Sequence, residues 1–204
     1  MMDIVVFVSG RGSNLEALLK DQKNYTVKHV ISNKAGIEGL ELAQRHGVVN
    51  SYIDWSDAKK AEDTAFELIQ ESQAKLVVLA GFMKILTATF VEKLNHKIIN
   101  IHPSLLPLYP GLNTHQRALD DGCIVHGATV HFVDNQLDHG CRISQTVVKI
   151  DKNDNANTLA NKLIKKEHKL LTHTVGLLAE GLVYWHNNEL YHKDDKLQEP
   201  LVFK

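Results

Sequence analysis

Two stretches of the chain combine residue types and spacing that could do chemistry. One is Asn100-Ile101-His102, and the other is the turn Ser9-Gly10-Arg11-Gly12-Ser13-Asn14. Asn100 and His102 stand two residues apart at the end of an apolar run, Lys97 to Ile101, that reads as a strand. Both side chains therefore point to one face. In open α/β sheets, ligands bind beyond the carboxyl ends of the strands. An amide beside an imidazole suits acyl-type transfer, because the amide can stabilise an oxyanion while the imidazole moves a proton. Pro103, Pro107 and Pro110 follow and stiffen the next loop. The alternative is a surface histidine at a proline turn, one of the 12 histidines in the chain.

The glycine turn lets the backbone approach a ligand closely, and the helix after it offers N–H groups and a positive dipole end. Ser13 and Asn14 could add side-chain donors. Leu15 stands where a dinucleotide fingerprint needs its third glycine, and the Walker pattern is absent, so the turn suits a lone phosphate. A tight strand-to-helix turn capped by Ser13 or Asn14 explains the same residues. Asp138, in Leu137-Asp138-His139-Gly140, could orient an imidazole, but spacing alone does not bring it to His102, and it also reads as a turn aspartate. His131 reads as a core histidine with one hydrogen bond that could line the same cleft. Glu167-His168, as a bare dipeptide, reads as the solvated face of a late helix.

The elements that must position these groups alternate through the first half. Strands are expected at Ile4 to Val8, Val27 to Ile31, Val48 to Ile53, Leu76 to Ala80 and Lys97 to Ile101. Helices are expected over Asn14 to Lys20, Ile37 to Arg45, a long segment from an N-cap at Ser56 to Gln73, and Thr87 to Leu94. That rhythm implies a parallel sheet with right-handed crossovers. In the second half a helix near His115 to Asp121 precedes strands at Ala128 to Val133 and Arg142 to Ile150, a pair that could be antiparallel. A long helix from Thr158 to Glu180 ends at Gly181, and the tail reads as a short hairpin or coil. With no linker or repeat, the expectation is one domain over residues 1–204, with a phosphate-binding half (1–101) and a catalytic half (102–204).

Composition excludes several classes. A net charge of −1 and a pI near 6.9 argue against a general nucleic-acid binder. Cys123 and Cys141 form no CxxC pair, which removes zinc-ribbon and thioredoxin readings and suits a reducing cytoplasm. The apolar run Ile4 to Val8 is too short for a signal peptide or a membrane span.

Taken together, SGRGSNLEALL, ISNKAGIEGLELAQRHG, VVLAGFMKILT, IINIHPSLLPLYPGLNTHQRAL, HGATVHFVDNQLDHG and KKEHKLL resemble the phosphoribosylglycinamide formyltransferase family of folate-dependent formyl-transfer domains. The resemblance runs from Asp3 to about Leu182. It implies a three-layer α/β fold with a mostly parallel twisted sheet, Rossmann-like in its first half, and antiparallel strands toward the C-terminus. It implies transfer of the formyl group of 10-formyltetrahydrofolate, a co-substrate, to the amine of 5'-phosphoribosylglycinamide in purine synthesis, with no metal. His102 would protonate the leaving folate nitrogen, Asn100 would hold the formyl oxygen, and Asp138 would pair with His102 and order water. Gly12, Ser13 and Asn14 would hold the substrate phosphate, and Ile164 and Glu167 would contact the ribosyl-glycinamide. Met83, Lys84, Ile85 and Leu86, together with Asn100 and the loop Asp134, Asn135, Gln136, Leu137 and Asp138, would line the folate pocket. Arg142, Ser144 and His139 depart from the family's usual residues. The resemblance further implies small-molecule partners, no nucleic acid or membrane, a cytoplasmic location, and a monomer or weak homodimer. Related hydrolases and transfer-RNA formyltransferases would carry an extra domain, which 204 residues would not accommodate.

Overall fold

Ile4, Val5, Val6, Phe7 and Val8 are each at most 1% exposed, which places the first apolar run in the middle of a sheet covered on both faces. The computed structural model describes residues 1–203. It divides into two compact units, Met1–Asn100 and Ile101–Lys204.

The first unit contains β1 (Met2–Val8), α1 (Ser13–Asp21), β2 (Tyr25–Ser32), α2 (Glu38–Arg45), β3 (Val49–Tyr52), α3 (Ala58–Glu71), β4 (Leu76–Leu79) and α4 (Ala88–Lys93), and its boundary at Asn100 falls within β5 (Ile98–His102). Its strands lie in the order β3-β2-β1-β4-β5, with every pairing parallel. The strand and helix alternation expected from sequence is thus present. Element ends in this unit differ by up to two residues, and one helix cap differs. Ser56 does not cap α3, because its amide and hydroxyl both bond the Asp54 carboxylate, at 2.9 Å each. Asp57 is the cap, accepting from the Lys60 amide. Two candidate caps stood side by side, and the Asx turn at Asp54 consumed the first.

The second unit contains α5 (Thr114–Asp120), β6 (Val125–Phe132), β7 (Arg142–Lys149), α6 (Ala156–Ala179), β8 (Val183–His186), β9 (Glu189–His192), β10 (Asp195–Lys196) and β11 (Leu201–Phe203). β6 and β7 are antiparallel, as the sequence allowed, with a bulge between Val130 and His131. α6 begins at an Asn155 cap with a reciprocal Thr158 contact. The tail holds more order than a hairpin or coil. β8, β9 and β10 form a separate sheet, and β11 pairs parallel to β7. Phe203 meets the His173 ring on α6, at 4.3 Å between centroids. Ser144 is fully buried and bonds the Thr174 hydroxyl at 2.6 Å, so a polar residue sits in this strand without an orphaned group. Among the described residues, no helix is long and apolar enough to cross a membrane.

Candidate active site

In the first unit, β1 ends at Val8 and the chain turns through Ser9 to Gly12 into α1. Gly12 adopts φ 80°, and a Cβ there would lie 3.0 Å from the Gly39 Cα. Gly39 in turn donates its amide to the Gly10 carbonyl at 3.1 Å. The turn therefore needs glycine both for its left-handed conformation and for the close passage of α2. No side chain caps α1, so its positive dipole end receives no capping bond from a side chain. Ser13 and Asn14 begin the helix there, as the sequence suggested, but neither is its cap.

Met83 to Leu86 form a segment whose ends are held. Phe82 packs edge-on against Phe7 and Trp55, with centroids 5.2 and 5.1 Å away. The Met83 amide donates to Ser9 Oγ at 2.8 Å, and Ser9 donates to Asn33 Oδ1 at 2.6 Å. At the far end, the buried Glu62 carboxylate accepts from the Thr87 amide and hydroxyl. Between these anchors Met83 is 65% and Ile85 76% exposed, two large apolar side chains in water on a fixed backbone. Such a surface suits a flat, partly apolar ligand. Lys84 is exposed beside them and Leu86 is half-buried.

In the second unit the imidazole of His102 is 5% exposed and sits between two acceptors. Nε2 donates to the Tyr109 carbonyl at 2.9 Å, and Nδ1 lies 3.3 Å from Asp138 Oδ2. Nε2 therefore carries a proton, while Nδ1 faces the carboxylate. The same Asp138 oxygen accepts from the Gly111 amide at 2.8 Å. Asp138 is thus no mere turn residue, although it does occupy a turn, at φ 51°. Tyr109 adopts φ 55°, a conformation unusual for an aromatic residue. Both residues that touch the imidazole are thus held in uncommon backbone states, which persist only where surroundings over-determine them.

The loop Asp134 to Gly140 is closed by local bonds. Asp134 accepts from the Gln136 amide at 2.9 Å and lies 3.0 Å from His139 Nδ1. Asn135, Gln136 and Leu137 are exposed. Gly140 is buried, and a Cβ there would stand 1.9 Å from the Phe132 carbonyl oxygen. His131 bonds the Phe132 carbonyl through Nδ1 at 2.8 Å, and its Nε2 lies 3.8 Å from Asp138 Oδ1. It is both the satisfied core histidine and a wall of the site, re-aimed by the bulge beside it.

Burial holds three neighbouring histidines neutral. Desolvation, reinforced by His115 and His102, pushes His126 down to about 4. Burial and then the His102 charge lower His115. Burial lowers His131 against the opposing pull of its Phe132 bond and Asp138.

Glu167 corrects one sequence expectation. Its dipeptide read as a solvated face, yet it is 7% exposed on α6, with Ile164 half-buried one turn earlier. Asn100 precedes His102 by two residues on β5, so its side chain leaves the strand on the same side. Sequence reasoning assigned no role to Tyr109 and Gly111, which contribute backbone groups, or to Thr129 and Gln145, and it gave Ser9 and Arg142 no part in holding the loops. The left-handed turn before Gly111 in Tyr-Pro-Gly was the available signal for the first two.

Comparisons with known proteins bear on the family. A family model described as formyl transferase matches residues 2–175. Phosphoribosylglycinamide formyltransferase of Escherichia coli (strain K12) is 39% identical over 205 residues, covering 96% of each chain. The human trifunctional purine biosynthetic protein adenosine-3 is 40% identical over 187 residues, 88% of this chain but 18% of that protein. The chain thus spans about a fifth of the length of the vertebrate relatives it matches. Among solved structures, phosphoribosylglycinamide formyltransferase of Coxiella burnetii superposes with a TM-score of 0.94 at 36% identity, over 100% of this chain and 99% of that one. With the family model covering most of its length and a bacterial relative matching nearly end to end, the chain belongs to the formyl transferase family.

Proposed function

We propose that the protein transfers the formyl group of 10-formyltetrahydrofolate to the amine of 5'-phosphoribosylglycinamide; its bacterial relatives are named phosphoribosylglycinamide formyltransferase. The observation that carries this reading is the buried His102 ring held between the Asp138 carboxylate and the Tyr109 carbonyl, two residues beyond Asn100. The neutral amine attacks the formyl carbon, and the carbonyl oxygen becomes an oxyanion. The Asn100 amide would stabilise that charge. Collapse breaks the bond from carbon to the folate nitrogen, which leaves with a proton supplied by the imidazolium of His102. The attacking nitrogen releases its extra proton to water, and Asp138 would order that water.

The 3.3 Å separation of Nδ1 from Asp138 exceeds the 2.7–2.9 Å or so of a tight charged bond, which leaves the ring able to exchange a partner during turnover. Gly12, Ser13 and Asn14 would hold the substrate phosphate, and Ile164 and Glu167 the ribosyl-glycinamide. Met83 to Leu86, Asn100 and Asp134 to Asp138 would take the folate. The protein would work in the cytoplasm on small molecules, as a monomer or weak homodimer, without metal, nucleic acid or membrane. Incubation with both substrates, following tetrahydrofolate-product absorbance and formylglycinamide ribonucleotide by mass spectrometry, tests the assignment. Formylated product is expected, and hydrolysis of the folate without it would refute the acceptor.

A further inference from the structure

We propose that Arg142 is a positioning residue for His102 and Asp138, acting through the backbone of the loop between them; the inference rests on the proposed roles of those two residues. Arg142 opens β7, with its side chain about one-third exposed. Its Nη1 donates to the Leu106 carbonyl at 2.9 Å. Gln145 Nε2 donates to the same carbonyl at 2.8 Å and to Thr129 Oγ1 at 2.9 Å. Thr129 Oγ1 accepts from the Leu106 amide at 3.0 Å and donates to the Ser104 carbonyl at 2.7 Å. Both lone pairs of the Leu106 carbonyl and every hydrogen-bonding site of the Thr129 hydroxyl are thereby used. Thr129 on β6 thus grips the Leu106 amide, while Arg142 and Gln145 on β7 grip the peptide that carries its carbonyl, and one of these grips is charged.

That peptide lies in the loop that shapes the site. Three residues on, the Tyr109 carbonyl receives His102 Nε2, and five residues on, the Gly111 amide holds Asp138 Oδ2. Arg142 and Asp138 also line one cavity of about 290 Å³. Arg142 itself touches neither ring nor carboxylate by hydrogen bond. Its other contact, Glu199 at 3.8 Å, is with a side chain 82% exposed and adds little. The carbonyl is therefore the principal anchor for the guanidinium, and a bond with a charged donor is roughly twice as strong as a neutral one. With that donor removed, Gln145 holds the peptide alone. Tyr109 and Asp138, in their left-handed conformations, then lose part of the constraint that keeps them there.

The test uses Arg142→Met, which keeps the apolar stem but loses the donors, with Arg142→Lys, Gln145→Leu and the double variant Arg142→Met/Gln145→Leu. Turnover with both substrates is expected to fall about tenfold in Arg142→Met, a misplacement effect, with each KM within twofold. Arg142→Lys is expected to recover most of it. Because the two donors share one acceptor, the double variant should lose more than the product of the single losses. Hydrogen exchange at the Gly111 amide should accelerate at least tenfold in Arg142→Met, while amides of β1 keep their rates. That exchange measurement needs no substrate. Faster Gly111 exchange in a protein whose wild type transfers no formyl group would overturn the activity and leave the positioning role standing. Unchanged turnover and unchanged Gly111 exchange in Arg142→Met would overturn the positioning role alone, even if the variant melted earlier.

Discussion

Adding one methyl group at Gly140 should separate the fold from the chemistry. The Cβ of Gly140→Ala would stand 1.9 Å from the Phe132 carbonyl oxygen, 2.8 Å from its carbon and 3.2 Å from the Asp134 amide nitrogen. An ordinary carbon–oxygen contact needs more than a further ångström, and none of the three obstructing atoms is a flexible side-chain end. Either the end of β6 or the loop from Asp134 must give. β6 is the stiffer partner, since Phe132 is 3% exposed and its amide bonds the Cys141 carbonyl at 2.8 Å. The loop, exposed at Asn135 to Leu137, should move instead. Asp138 lies two residues before the glycine, so a shift on the order of 1 Å reaches its carboxylate and opens the contacts with His102 and Gly111. A misplacement of that size can cost about 10²-fold in rate. Overpacking of this kind typically costs about 1–3 kcal/mol, which for a chain this long lowers the melting temperature by roughly 2–4 °C per kcal/mol. Steady-state turnover and a calorimetric scan read both effects. The expected result is a folded protein with turnover down about a hundredfold. Turnover within twofold of wild type would refute the claim that the Gly140 contact sets the position of Asp138.

His102→Ala should lower turnover by at least about 10²-fold with folate affinity retained, as measured by single-turnover kinetics and equilibrium titration; wild-type turnover would remove His102 from the mechanism. Gly12→Ala forces a side chain into φ 80° against the Gly39 Cα, so the KM for the ribonucleotide should rise tenfold or more while that for the folate holds, and equal shifts in both would contradict a phosphate site there. Acid should destabilise the protein through His126, whose folded-state value near 4 lies below the ordinary 6.5. The unfolded chain binds that proton first, so stability is full above pH 6.5 and falls as the pH drops toward 4, by up to roughly 3 kcal/mol. Urea midpoints at pH 7.5 and 4.5 should therefore differ less in His126→Gln, and an unchanged difference would show that another group controls the acid response.

What was legible in the sequence follows from what has a period or a residue type. The unbroken run Ile4 to Val8 fixes a doubly covered strand whatever surrounds it, and the β1-to-β5 alternation needs only hydrophobic period and turn residues. His102 and Asn100 were singled out because a strand places alternate residues on one side. The pairing of Asp138 with His102 was not, because 35 intervening residues carry no distance information; the resemblance had to supply it. Glu167 misled for a related reason. Its helix is apolar on one stripe, and a charged residue on the edge of that stripe reads as solvated until the packing of α6 shows it covered. The tail was undervalued because Leu201 to Phe203 is three residues long, too short for any period to register, and only the open edge of β7 makes it a strand.

The residues that sequence reasoning did not reach share a physical character. Tyr109 and Gly111 act through a carbonyl and an amide that every residue of their kind possesses, so identity at those positions says little about function. What makes those groups available is conformation, φ 55° at Tyr109 and φ 79° at Gly111. The loop that carries them is held from outside at Leu106, by Thr129, Gln145 and Arg142 on β6 and β7. His102 and Asp138 are therefore specified by residue type, whereas their mutual position is specified by peptide groups whose placement depends on strands distant in sequence. A substitution at Arg142 or Gln145 can leave every group that touches substrate unchanged and still alter the rate, since a proton-transfer site is sensitive to displacements smaller than those that unfold a loop.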